Sequence, residues 1–292
     1  MRLFPLFAGV VLIWGLNWPI MKIGLEDLTP LWFATFRIGI GLLCLLPFVL
    51  IQERSVLPRK RDMPIIFGVG ILQMSLGMGL VYLGLNVVDA GRSAILSYTT
   101  PFWIVPIAWF WIGERLGTHR FFGLLFGLAG LGLLFNPLTF DWQNTEAILG
   151  NGLLLLGALC WAIAMTHVRA HNWHGPPLTT VFWQLLLAFL VLTTWAWGME
   201  GTPHAPGDTK TLLVLLYNGT LGTAFCFWAF IELNRRLPAT TMALGSLAIP
   251  LIGVAMSALW LGEALTASLL GGLGAILLGV VLTALSHWPR RA

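Results

Sequence analysis

Residues 111–116 read WIGERL and residues 260–265 read WLGEAL, one phrase met twice, 149 positions apart. The match extends in the same frame on either side. Ser97 falls on Ser246, Pro101 on Pro250, Trp111 on Trp260, Gly113 on Gly262, Glu114 on Glu263, Leu116 on Leu265, Gly123 on Gly272 and Gly130 on Gly279. AGRSA at Ala90 likewise falls on ATTMA at Ala239. Agreement over this reach makes the chain two copies of one unit, and self-similarity has to be read before any single element.

Composition says what kind of unit it is. The 292 residues are 58% hydrophobic and only 10% charged, with a mean hydropathy of +0.85, where an ordinary soluble domain carries about 25% charge. Apolar stretches of about 20 residues, each long enough to cross a hydrocarbon core of roughly 30 Å as a helix, follow one another with short polar gaps. Ten are read, at residues 3–22, 31–51, 64–86, 93–113, 119–136, 148–168, 178–198, 211–231, 239–261 and 268–287. The alternating runs of about 10 residues that a membrane β-barrel needs are not seen. The chain is predicted to be an all-α integral membrane protein with ten transmembrane helices. Arg2 before an apolar run has the look of a signal peptide, but the run is too long and no small-residue cleavage site precedes Lys22, so this segment is expected to stay in the mature protein.

Each copy then holds five spans, residues 1–137 and 147–287. Five is odd, so the second copy enters the membrane from the opposite side, giving two inverted repeats related by a pseudo-two-fold axis in the membrane plane. With both termini cytoplasmic, Arg2, Arg54, Arg59, Lys60, Arg61, Arg115, Arg120, Arg169, Arg235, Arg236, Arg290 and Arg291 lie inside, against Lys22, Arg92 and Lys210 outside. That asymmetry is the positive-inside pattern. It also explains why WLGEAL lacks the arginine of WIGERL: Arg115 ends a span on the cytoplasmic face, whereas Ala264 ends one outside, where an arginine would oppose the topology. The phrase marks a helix end. Nucleic acid is not expected as a partner, because the one basic cluster, ERSVLPRKRD, is a ten-residue loop with no interleaved aromatics.

These residues resemble the drug/metabolite transporter superfamily, and within it the ten-helix EamA-type exporters. The resemblance rests on Pro101 followed by GERL and GLLFGLAG, then Pro250 followed by GEAL and GGLGAILLG, with Trp14, Gly15 and Asn17 opening the first span and Arg37 early in the second. The second copy departs from the pattern in having no arginine after Glu263 and none in its second span. The resemblance implies a secondary exporter of amino acids, aromatic ones among them, or of similar small amphipathic metabolites; a multidrug exporter of the same superfamily is the alternative. It also implies a multi-pass protein of a bacterial-type inner membrane, surrounded by lipid, with a small molecule as its substrate. Oligomeric state is not read from it.

Polar side chains inside a bilayer are costly and tend to face a bundle interior or a watery cavity. The candidate substrate-binding residues are therefore Trp14, Asn17, Tyr82, Asn86, Ser97, Tyr98, Trp161, Tyr217, Trp228 and Ser246. Tyr82 and Asn86 share a helical face at i and i+4, and Tyr217 and Trp228, eleven residues apart, are expected to do the same. Pro19, Pro101, Pro106 and Pro250 interrupt backbone ladders and free carbonyls that can line a cavity or bend a gate. Each polar residue can equally bond a neighbouring helix, and Trp14, Trp161 and Trp228 can equally pack in a core.

Other residues carry expectations of their own. Trp32, Trp142, Trp173, Trp197 and Trp288 lie near span ends and read as interfacial anchors. Gly123 with Gly127, and Gly271, Ala275 and Gly279, form stripes for close helix contact. Arg37 sits about six residues below the outer interface, near enough to snorkel, with carboxylate binding as the alternative. His167, His171 and His174 read as solvated histidines at the cytoplasmic end of the sixth span. Cys44, Cys160 and Cys226 fall inside spans and read as small core residues, neither a disulfide framework nor a thiolate metal site. No cofactor or metal is expected. No P-loop, His-Glu-x2-His or Gly-x-Ser-x-Gly phrase occurs, so neither an ATPase nor the runner-up from another class, a membrane-embedded enzyme, is favoured.

Overall fold

Prolines and wide helical turns decide how this chain crosses lipid, because apolar surroundings offer a freed carbonyl no water. The computed structural model describes residues 3–52, 57–113, 117–135, 141–171, 174–203, 207–237, 242 and 245–285. The described residues are helical and contain no strand. In chain order the helices are α1 (Leu3–Gly24), α2 (Pro30–Gln52), α3 (Lys60–Val87), α4 (Ala90–Ser97), α5 (Thr100–Ile112), α6 (Thr118–Leu134), α7 (Thr145–Ala170), α8 (Pro177–Glu200), α9 (209–236), α10 (Ala248–Leu261) and α11 (Ala267–Leu285). Seven of them, α1, α2, α3, α7, α8, α9 and α11, are long and apolar enough to cross a membrane. The apolar parts of α6 and α10, Phe121–Leu134 and Ala248–Leu261, are shorter.

The stretch expected as one span over 93–113 is two helices. Tyr98 and Thr99 leave the helical ladder between α4 and α5, just ahead of Pro101. Proline has no N–H to give the carbonyl four residues back, which here belongs to Ser97. The Thr100 hydroxyl takes that carbonyl at 2.8 Å and the Thr99 hydroxyl takes Leu96 O at 2.6 Å. The two threonines thus replace the backbone bonds that the break removes.

Helices α3 and α9 each contain a π segment, Gly68–Gly77 and Tyr217–Phe225, in which the ladder closes on the fifth residue back. The Ser75 hydroxyl donates to Gly70 O at 2.6 Å and the Thr223 hydroxyl to Asn218 O at 2.8 Å, both spanning that same wide turn. The segments begin 149 positions apart, at Gly68 and Tyr217. So do the left-handed glycines that end α5 and α10, Gly113 at φ 74° and Gly262 at φ 70°. The turn at Tyr98 and the turn at Leu247 share the offset. WIG and WLG are helix ends because each glycine takes a conformation other residues resist. Glu114, Arg115 and Leu116 lie outside the described residues.

Packing pairs the two copies. Helix α6 lies along α11, α2 along α8, α1 along α10, and α3 along α7. The π segment of α3 packs on α8, and that of α9 packs on α2. At the α6–α11 seam, a Cβ on Gly123 would stand 2.7 Å from Gly279 O and one on Gly279 2.6 Å from Gly123 O. A Cβ on Gly130 would stand 2.8 Å from Gly272 O, and one on Gly272 3.0 Å from Gly130 O. The earlier glycine of α6 meets the later one of α11 and the reverse, so α6 and α11 run antiparallel with backbones in direct approach. The glycine stripe was expected at Gly271, Ala275 and Gly279, but the contact face is Gly272, Ile276 and Gly279; a Cβ on Gly271 would meet only Leu133 at 3.6 Å. Cys226 is fully buried and Cys44 and Cys160 are half-buried, all free thiols.

Nothing stands within 4 Å of a Cβ built on Gly262 or on Gly274 of α11, and only Gly262 has a positive φ. Gly262→Ala therefore costs about 1–2 kcal/mol through backbone conformation alone. Gly274→Ala is expected to be neutral or stabilising by about 0.5–1 kcal/mol. Unfolding midpoints of the two variants in one detergent check the contrast; equal shifts would contradict the reading of Gly262 as a conformational cap.

Candidate functional site

Polar side chains from four helices meet around Arg37. Residue 37 is the eighth of α2, about 10 Å along the axis at roughly 1.5 Å per residue, and its side chain is only 6% exposed. It turns into the bundle among α1, α3 and α9, against the expectation that it snorkels. Its Nε donates to Thr223 Oγ1 at 2.8 Å, Nη1 to Tyr82 Oη at 3.0 Å and Met21 Sδ at 3.2 Å, and Nη2 to Gly222 O at 3.3 Å. Helices α1, α3 and α9 are thereby tied to α2 through one guanidinium.

Trp14 Nε1 donates to the same Gly222 carbonyl at 3.0 Å, and Asn17 Nδ2 to Met21 Sδ at 3.2 Å. Asn17 is 4% exposed, and its Oδ1 has no hydrogen-bond partner. Tyr217 Oη donates to Ile13 O at 2.8 Å, joining α9 to α1 one turn away. Tyr82 is 1% exposed, with its ring 5.0 Å from that of Phe33. Of the residues singled out in the sequence, Trp14, Asn17, Tyr82 and Tyr217 thus belong to one connected region.

The rest are placed elsewhere. Ser97 and Tyr98 sit at the break between α4 and α5; the Ser97 hydroxyl is enclosed without a hydrogen-bond partner, and Tyr98 packs with Trp14 against the core formed by α1, α9 and α10. Ser246 is half-buried just before the turn at Leu247. Trp161 is half-buried on α7. Asn86 is exposed in the last turn of α3, where its carbonyl, not its side chain, is engaged. Trp228 is 44% exposed and rests on Phe225. It does not share the inward face of Tyr217, because the π segment between them carries extra residues per turn and spoils the eleven-residue spacing.

Arg37, Met21, Gly222 and Thr223 are the members of this region that the candidate list lacked. Hydroxyl and glycine residues spaced through the eighth span, Gly219, Thr220, Gly222 and Thr223, were the available signal.

Two glutamates near helix ends accept from the backbone of other helices. Glu263 takes the N–H groups of Ala90 and Gly91 at 2.6 and 2.9 Å, capping α4. Glu200 takes those of Leu31 and Trp32 at 2.9 and 3.0 Å, capping α2. Lys22 Nζ donates to the carbonyls of Leu85, Asn86 and Val88 at 2.7, 3.0 and 2.9 Å, closing the end of α3. Trp32 is buried and donates from Nε1 to Gly201 O at 3.0 Å, so it packs inside instead of lying free at an interface. Trp142 and Trp197 are exposed as anchors would be, and Trp173 and Trp288 lie outside the described residues.

His171 and His174 are tied to a buried carboxylate instead of lying free in solvent. Asp62, 1% exposed, accepts from His174 N at 3.1 Å and lies 3.0 Å from His171 Nε2 and 3.4 Å from His174 Nδ1. The ligand atoms of these three residues fall within 4.8 Å of one another. Their carboxylate–amide and carboxylate–imidazole contacts make a clamp that holds the chain between α7 and α8 against the start of α3.

A family description, EamA-like transporter family, matches residues 3–136 and again 148–285. The chain is 27% identical to "Uncharacterized transporter YoaV" of Bacillus subtilis over 284 residues, 97% of each protein. It is 26% identical to a "Probable amino-acid metabolite efflux pump" of Salmonella typhimurium, covering 97% of this chain and 94% of that protein. One crystal structure superposes over 96% of both chains with a TM-score of 0.66 at 19% identity, a likeness of fold.

Asp62→Ala leaves the His174 amide without its acceptor and is expected to cost about 1–3 kcal/mol. Asp62→Asn keeps an acceptor oxygen and should cost less. Thermal unfolding of both variants in detergent checks the order, and equal or absent losses would remove the clamp.

Proposed function

The chain belongs to the EamA-like transporter family, and from that premise we propose that it exports amino acids or similar small amphipathic metabolites by alternating access. The observation that carries the reading is the buried polar region on α1, α2, α3 and α9, where helices of the first matched stretch meet one of the second. Intramembrane polar and ionisable groups gathered in a bundle interior are by default a solute pathway. The Salmonella relative supplies the substrate class.

In this reading the two matched stretches are five-span repeats of inverted orientation, the fourth span being α4 and α5 together. Antiparallel α6 and α11, with the reciprocal contacts Gly123–Gly279 and Gly130–Gly272, support it, since a two-fold interface brings residue i to j and j to i. The paired π segments support it too. Both termini face the cytoplasm, and the end held by Lys22 and Glu263 faces outside. Tyr82, Ser97, Tyr98, Trp161 and Ser246 line the solute path around Trp14, Asn17 and Tyr217; the two repeats rock about it, bending at the breaks before Pro101 and Pro250.

Purified protein in liposomes loaded with an unlabelled amino acid should accumulate the labelled one by counterflow, aromatic amino acids first. No exchange across a broad metabolite panel would remove the reading. Alanine at Tyr82, Ser97, Tyr98, Trp161 or Ser246 should lower exchange without lowering membrane expression, and uniformly normal exchange would remove that lining.

Orientation has its own test. On a cysteine-free background, Gln143→Cys should react with an impermeant maleimide in intact cells and Arg59→Cys only after permeabilisation. The reverse pattern would overturn the topology.

A further inference from the structure

A guanidinium buried about 10 Å along a membrane helix ordinarily has a carboxylate beside it. Arg37 does not. Its four partners are a phenol, a hydroxyl, a carbonyl and a thioether, all neutral. Among the described residues, the ion pairs lie elsewhere: Asp62 with His171 and His174, Lys210 with Glu26, and Arg236 with Glu232. The thioether is the weakest acceptor of the four, and it is shared, since Met21 Sδ also receives Asn17 Nδ2. The contact to Gly222 O is long at 3.3 Å. One face of the cation is thus poorly compensated.

Next to that face is an orphan of opposite need. Asn17 Oδ1 is buried and accepts nothing. The two groups look at the same spot: a side chain started at Gly222 would stand 3.1 Å from Asn17 Oδ1 and 3.7 Å from Arg37 Nη2. The absence of a side chain at Gly222 therefore leaves a donor-rich cation and a free amide oxygen facing one place, in a π segment, a backbone form that recurs at functional sites. Resting on the exporter reading above, we propose that Arg37 binds the carboxylate of the transported solute and Asn17 Oδ1 its ammonium, so that the substrates are α-amino acid zwitterions. A carboxylate forms a charge-assisted, bidentate pair with Arg; it would replace Met21 Sδ and Gly222 O as the partners of Arg37 when α9 moves aside. Tyr82, on α3, holds the guanidinium in register meanwhile.

The test uses the full-length protein in liposomes, with labelled phenylalanine in counterflow and three unlabelled competitors. These are phenylalanine, phenethylamine, which lacks the carboxylate, and 3-phenylpropionate, which lacks the ammonium. In the wild type, phenylalanine is expected to compete at least about tenfold better than either analogue, the discrimination typical of an unpaired buried polar group. Arg37→Gln should abolish the advantage of phenylalanine over phenethylamine, Arg37→Lys should restore part of it, and Asn17→Leu should abolish the advantage over 3-phenylpropionate. The ratio is the readout, because damage to packing lowers all three ligands together. A variant that folds but is inactive in exchange is read by ligand-induced thermal shift in detergent, and Arg37→Lys serves where Arg37→Gln does not fold. Phenethylamine competing as well as phenylalanine, or ratios unchanged in Arg37→Gln, would overturn the proposal. Where amino acids fail in the wild type but another carboxylate-bearing solute binds in an Arg37-dependent way, the carboxylate assignment stands and the amino-acid reading falls. If no carboxylate-bearing solute binds, both fall.

Discussion

Hydrocarbon offers no hydrogen-bond partner, and the architecture follows from that constraint more than from any single contact. The break before Pro101 and the two π segments are each met by nearby side chains. Thr99 and Thr100 supply the carbonyls freed before Pro101. Ser75 and Thr223 reach across the widened turns of the two π segments. Glu200 and Glu263 take the open amides at the starts of α2 and α4, and Lys22 takes the carbonyls at the end of α3. Glu200 and Glu263 complete the backbone of another helix in this way and lie beside its positive terminus.

The same constraint ties irregularity to motion. A straight helix that satisfies its own ladder has one good geometry. A helix broken at a proline, or widened by a π turn, has its bonds supplied by hydroxyls that can rotate. The irregular places recur at the common offset, with π segments at Gly68 and Tyr217 and turns at Tyr98 and Leu247. The outer pair, α6 and α11, is of the opposite character, held by glycine backbones in direct approach. The bundle therefore combines a seam of closely approaching backbones with a centre of irregular helices, and the buried polar region lies in the irregular part.

Arg37 is the point where chemistry and packing converge. It joins α2 to α1, α3 and α9 and carries a full charge with neutral partners only. A buried carboxylate beside it would make the site self-satisfied and indifferent to solutes. Leaving the cation under-compensated makes the interior depend on what enters it, a physical basis for selectivity that apolar packing alone does not provide.

Much of this was legible in the chain. The apolar helical runs, the repeat at an offset of 149 and the glycine helix ends are properties of composition and local conformation, and local physics acts on residues close in sequence. Trp14, Asn17, Tyr82 and Tyr217 could be named because polar groups in lipid have few other uses. Tertiary structure alone decided the rest. Whether Arg37 turns inward or snorkels depends on acceptors 16 to 186 residues away. Trp228 faces out because a π segment, invisible in residue spacing, rotates the helix beyond it. The histidines join Asp62 because α3, α7 and α8 pack together at that end. Hydropathy reports what a residue costs in lipid; which neighbour offsets that cost is fixed by how distant helices meet.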